Sequence, residues 1–248
     1  NSSEHIKLVN QSGDQVDEVS YFDQGDWGIR QRTTVNGEQG WSWTSDADGL
    51  GSSLELINPA LPNNQGQNWI ASQNTTPTPA TANSTALDET APLILDVEHF
   101  PKIPTSSDPI GITAELRGEF GQAIGGTLCY RVSAQNPGPF QTSPMFDDGH
   151  HRDAEANDGI YGFMLPPSPN GTVYEFYIES SDGTNTRTWP APASNGQTAN
   201  ALLQVDDEAN NIDHGFYRLI LPVSEYNQWQ GINRGSNAMM NATLILDD

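Results

Sequence analysis

Period-two alternation is the clearest pattern in the chain. Ile110, Ile112, Ala114 and Leu116 alternate with Gly111, Thr113, Glu115 and Arg117. Leu128, Tyr130 and Val132 alternate with Cys129 and Arg131, and Tyr174, Phe176 and Ile178 with Glu175, Tyr177 and Glu179. A repeat of two puts every second side chain on one face, so each run predicts a strand with one buried side. Glycine and proline clusters at 121–126, 136–139 and 166–171 separate the runs as turns. Residues 92–205 therefore predict about seven strands folded as a sandwich around one core.

The flanks are less regular. Residues 5–22 read as a hairpin: Ile6 and Leu8 share a face, Val16, Val19 and Tyr21 do so if a bulge intervenes, and a polar turn lies between. Residues 25–43, rich in glycine and tryptophan, read mostly as loop, and residues 54–57 as a short strand. Trp27, Trp41, Trp43 and Trp69 read best as core plugs; a sugar-stacking platform is the alternative. Residues 74–91 have almost no apolar bulk and read as an extended linker. After an acidic connector at 206–213 come a strand at 216–222, a short helix with Ser224 as its N-cap, and a last strand at 242–246. The expected fold class is all-β: tandem immunoglobulin-like β-sandwich modules with a short α/β C-terminal piece.

Charge narrows the partners. Ten basic against 32 acidic residues give a formal charge of −22. That excludes the positive surface a nucleic-acid binder needs and disfavours anionic membranes. No apolar run is long enough to span a membrane. The acidity fits an extracellular or cell-surface protein in cation-rich surroundings. Cys129 is the single cysteine, so no internal disulfide forms, and it reads as a small strand residue. The chain opens without a signal peptide and ends abruptly, and we expect a piece of a longer precursor.

One loop concentrates the candidate chemistry. Between Phe146 and Phe163 lie Asp147, Asp148, Asp153 and Asp158, with Asp-Gly turns at 148–149 and 158–159. Four carboxylates this close repel one another unless water separates them or a hard cation gathers them. Two readings follow: a solvated acidic hairpin loop, which is the plainer one, or a calcium site made by these four aspartates. The spacing is not that of an EF-hand. His150 and His151 with Asp153 offer a weaker transition-metal alternative.

Three resemblances add to this reading. The order Glu4-His-Ile-Lys-Leu-Val-Asn10, Gly40-Trp-Ser-Trp43, Ser53-Leu-Glu-Leu-Ile-Asn-Pro59 and Asn68-Trp69 resembles the second half of a bacterial lamin-tail domain over residues 1–73. That family is an immunoglobulin-like sandwich, non-catalytic and associated with binding and anchoring; its first half is missing here. Asp147-Asp148-Gly149, Asp153, Asp158-Gly159-Ile160-Tyr161, Tyr174-Glu-Phe-Tyr177 and Trp189-Pro190 resemble bacterial immunoglobulin-like or fibronectin-III-like modules over residues 92–205. That resemblance implies a structural or spacer role in large surface proteins. Residues 206–248 resemble the opening of spore-coat CotH-type atypical kinase domains, whose catalytic residues would lie beyond Asp248.

No nucleophile has a plausible base, and no glycine-rich phosphate loop or Gly-x-Ser-x-Gly elbow occurs. We therefore expect a non-catalytic scaffold whose partners are other protein modules or subunits of a surface assembly. Polysaccharide binding and an accessory role beside a CotH-like kinase are the alternatives.

Overall fold

The computed structural model describes residues 3–75, 78–196, 199–208 and 217–246. Sixteen strands and one α-helix follow one another among them, so the molecule is an all-β sandwich protein with a short helical tail. His214, Phe216 and most of the acidic connector lie outside the described residues.

The N-terminal part is three hairpins. β1 (Ser3–Val9) pairs with β2 (Gln15–Phe22), β3 (Ile29–Val35) with β4 (Glu38–Thr44), and β5 (Leu54–Leu56) with β6 (Trp69–Ala71). The bulge expected in the first hairpin is present, where Leu8 faces Asp17 and Val9 faces Gln15. Residues 25–43 are not mostly loop. Polar strands Arg30-Gln-Arg-Thr-Thr and Glu38-Gln-Gly show no apolar alternation, so periodicity misses them. Asn36-Gly37, both at positive φ (52° and 85°), closes the hairpin with the tight turn such a pair favours.

Residues 92–205 form two facing sheets. One is β11 (Ile160–Leu165), β8 (Ile110–Arg117) and β7 (Leu93–Phe100), in that order. The other runs β10 (Gln141–Met145), β9 (Gly125–Val132), β12 (Val173–Ser181), β13 (Thr186–Trp189), and β14 (Ala201–Gln204) shares the outer edge of β12 with β13. Among the described residues there are eight strands rather than about seven. β10 carries Pro144 and little apolar pattern, which suits an edge strand and hides it in the sequence. The predicted faces meet as a core: Ile110, Ile112, Ala114, Leu116, Leu128, Phe176 and Ile178 pack with Ile94, Leu165, Leu203 and Val205. Val132 is the exception; the strand leaves the core before it and the side chain is exposed.

Within residues 74–91, expected as a spacer, residues 84–87 are held against the N-terminal part. Ser84 Oγ and the Thr85 N–H donate to the Glu55 carboxylate at 2.8 and 3.1 Å, and the Leu87 N–H donates to the Ile57 carbonyl at 3.0 Å.

The C-terminal piece is β15 (Tyr217–Ile220), α1 (Val223–Gly231) and β16 (Thr243–Leu246). Ile220 and Ile245 on its inner face pack on Leu202 of β14. Ser224 is not the N-cap. Pro222 occupies that position, and the Val223 N–H donates to Ser133 Oγ at 3.0 Å, so the capping oxygen comes from the sandwich.

The acidic loop as candidate cation site

The loop hangs between β10 and β11. Phe146 and Gly162 exchange backbone hydrogen bonds of 2.9 and 2.8 Å, which pin its two ends together. The His151 ring stacks on Phe146 with centroids 4.7 Å apart, and the Arg152 guanidinium lies 4.0 Å over the Phe100 ring. Gly162 admits no side chain: a Cβ there would meet the His151 carbonyl at 2.2 Å. Sequence reading found the aspartates but not the Phe100–Arg152 contact, because those two residues lie far from one another along the chain.

The aspartates divide into separate roles. Asp153 is fully buried, and its oxygens accept the backbone N–H groups of Asp148, of Gly149 at 2.7 Å and of His151 at 2.7 Å. Burial pushes its carboxyl up, but the converging N–H donors outweigh this and hold it below the ordinary carboxylate value. Asp148 Oδ1 faces His151 Nδ1 at 2.9 Å, and that contact leads the lowering of the Asp148 carboxyl. Asp147 accepts the N–H groups of Asn157, Asp158 and Gly159 at 2.6, 3.2 and 3.0 Å. Asp158 accepts from Glu155 and Ile160 at 3.1 and 2.9 Å.

The four aspartates thus do not converge on one point. Ligand atoms of Asp148, His151 and Asp153 lie within 4.8 Å of one another; Asp147, Asp158 and His150 are not in that group. Two carboxylates and an imidazole form a mixed nitrogen–oxygen set, less typical of calcium than an all-oxygen cage. What the loop does with its charge is plain from its hydrogen bonds: the carboxylates stand in for sheet partners along a chain that turns too tightly to pair with itself.

Elsewhere, the tryptophans do not build a platform. Trp41 is buried at 3% exposure, and Trp27, Trp43 and Trp69 are half-buried. Trp27 and Trp69 pack against each other with centroids 6.0 Å apart. An exposed coplanar pair, which sugar stacking requires, is not formed by these four.

Two facing antiparallel sheets closed over one apolar core define an immunoglobulin-like module, compatible with a structural or adhesion part. Residues 128–187, from β9 into β13 and including the whole acidic loop, match the family model described as the conditioned medium factor 2nd Ig-like domain. No curated protein matches the chain.

Proposed function

We propose that this chain is a non-catalytic scaffold or adhesion segment of an extracellular or cell-surface assembly. Its immunoglobulin-like module would hold neighbouring modules in fixed positions. The observation that carries this reading is the joint between the sandwich and the N-terminal hairpins. Buried Gln67 pairs both its amide groups with Ile94 of β7, at 2.7 and 2.9 Å, as a strand would. A module seated this way transmits position rather than swinging on a tether. The lamin-tail resemblance of residues 1–73 and the CotH resemblance of residues 206–248 support the same placement among surface proteins.

The test is labelling of intact host cells or their medium with antibody raised to the chain, followed by cross-linking of the labelled fraction. Surface or secreted label, with cross-links to other proteins, is the expected result. Label confined to the cytoplasm overturns the reading.

Calcium at the acidic loop is a second proposal, favoured by carboxylate oxygens of Asp148 and Asp153 within 4.8 Å of each other. A cation bound only by the folded form raises the melting temperature by mass action. Melting in excess calcium should then exceed melting in excess chelator, and Asp148→Asn should abolish the difference. Identical melting in both solutions removes calcium from the account.

A further inference from the structure

We propose that the outer face of the β15–β16 hairpin, with the groove that opens beside Leu219, docks an amphipathic helix of a partner protein that carries carboxylates along its apolar stripe. The hairpin is apolar on both faces. Its inner face sets Ile220 and Ile245 on Leu202. Its outer face is two cross-strand pairs, Tyr217 with Leu246 and Leu219 with Leu244, all exposed, Tyr217 at 81% and Leu219 at 60%. A sheet open to water on one side normally alternates apolar with polar positions, whereas strands apolar on both sides are those covered on both. A lone two-stranded hairpin also needs a further strand or a packed helix, and here β14 supplies only the inner layer. The groove is about 970 Å³, walled by Leu219, Leu221, Trp229, Ile232 and Met240.

Charge selects the helix. No aspartate or glutamate lines the groove among the described residues, in a chain that has 32 of them. Its one charged side chain is Arg234. Seven of the chain's eight arginines hold a carboxylate, an amide or carbonyl oxygen, or an aromatic ring. Arg234 is exposed and holds none of these among the described residues. A guanidinium takes a carboxylate through two parallel hydrogen bonds, and apolar walls that exclude water strengthen them. A lysine-bearing helix would be drawn to the molecule by its charge of −22 but would meet a guanidinium in the groove. The site therefore selects against the long-range field. A second copy of the chain is a poorer occupant. Its α1, the only α-helix among the described residues, is anchored through buried Glu225, and it brings −22 against −22.

The docking surface gives the proposed scaffold a contact with its partner and so rests on that reading. Three labelled synthetic peptides test it by fluorescence anisotropy with the full chain in physiological salt, where the long-range field is screened. All three repeat leucine at i, i+3, i+4 and i+7 in a glutamine background. Beside the stripe they carry glutamate, lysine or glutamine. Saturable binding is expected, tightest for the glutamate peptide. Arg234→Gln should weaken that peptide about tenfold, the usual scale for loss of a charge-assisted hydrogen bond, and leave the glutamine peptide unchanged. Leu244→Ser should weaken all three, and Lys7→Gln on the first hairpin none. Both site variants replace exposed side chains, and melting curves matching the parent show that they fold. Equal binding of the three peptides, preference for the lysine peptide, a glutamate preference that survives Arg234→Gln, or no saturable binding overturns the proposal. So does dimerisation of the chain alone that Leu244→Ser abolishes, which assigns the face to a second copy. Absent binding with surface label intact removes the docking site alone; cytoplasmic label with binding intact removes the cellular placement alone.

Discussion

Asp153 shows what one carboxylate contributes when backbone N–H groups converge on it. It has no exposed surface, and the backbone of Asp148, Gly149 and His151 closes around it. Asp153→Asn keeps the shape but turns an amide N–H₂ toward N–H donors. We expect a loss of about 2 kcal/mol in urea unfolding, the scale for stranding buried donors to a charged acceptor. The sign with pH follows from its lowered carboxyl. That contribution is fully present above the ordinary carboxylate value and disappears as pH falls through the lower folded value. The variant should therefore differ from the parent at neutral pH and converge with it in strong acid; a gap that persists there contradicts the assignment. The sequence disclosed where the aspartates crowd. It could not disclose which oxygens the backbone takes, since that depends on where residues 147–159 turn back, including positive φ at Arg152, Ala154 and Asn157.

At the scale of elements, the β3–β4 hairpin illustrates why polar strands escape pattern reading and still hold a fold together. Arg30 and Arg32 place their guanidinium groups 4.2 and 4.0 Å from the Trp41 ring. Buried Glu225 of α1 answers them: its Oε1 accepts from Trp41 Nε1 at 3.4 Å, Arg32 at 3.4 Å and Asn241 at 3.0 Å. Trp41 also bridges Met239 through the backbone. The C-terminal piece is thereby tied to the hairpin as well as to β14. Glu225→Gln leaves two arginines near one ring without their counter-charge. The Arg32 side chain is 41% exposed, so solvent screens the pair; we expect a cost of about 1 kcal/mol, and loosening of the C-terminal piece first. Limited proteolysis should cut the variant near α1 before the sandwich is touched; unchanged cleavage argues against the tie. Trp41 as a core plug was legible from composition, whereas Arg30, Arg32 and Glu225 were not. Their contacts join residues some 190 positions apart, and no local period records that distance. The strands of the sandwich were legible for the opposite reason, because each repeats its burial within a few residues.

For the molecule as a whole, the question is whether the hairpins and the sandwich unfold as one body. Gln67 decides it. Its side chain donates to the Ile94 carbonyl at 2.7 Å and to Asp26 at 2.9 Å, and accepts the Ile94 N–H at 2.9 Å. Arg187 of β13 completes the joint, donating to the Gln67 carbonyl at 2.7 Å. Asn58 adds a second link by donating to Glu119 at 2.6 Å. β7 is the outer strand of its sheet, with β8 on one side only, so the edge at Ile94 that faces away from β8 is available to a side-chain amide rather than to another strand. Gln67→Ala would leave both backbone groups of Ile94 without these partners in a buried place, at about 1–3 kcal/mol. That cost falls on the joint and spares the core of each body. We therefore expect calorimetry to show one transition for the parent chain and two for the variant, the earlier belonging to the N-terminal hairpins. Two transitions in the parent would mean the bodies are already independent, and the scaffold would bend at this joint instead of holding it.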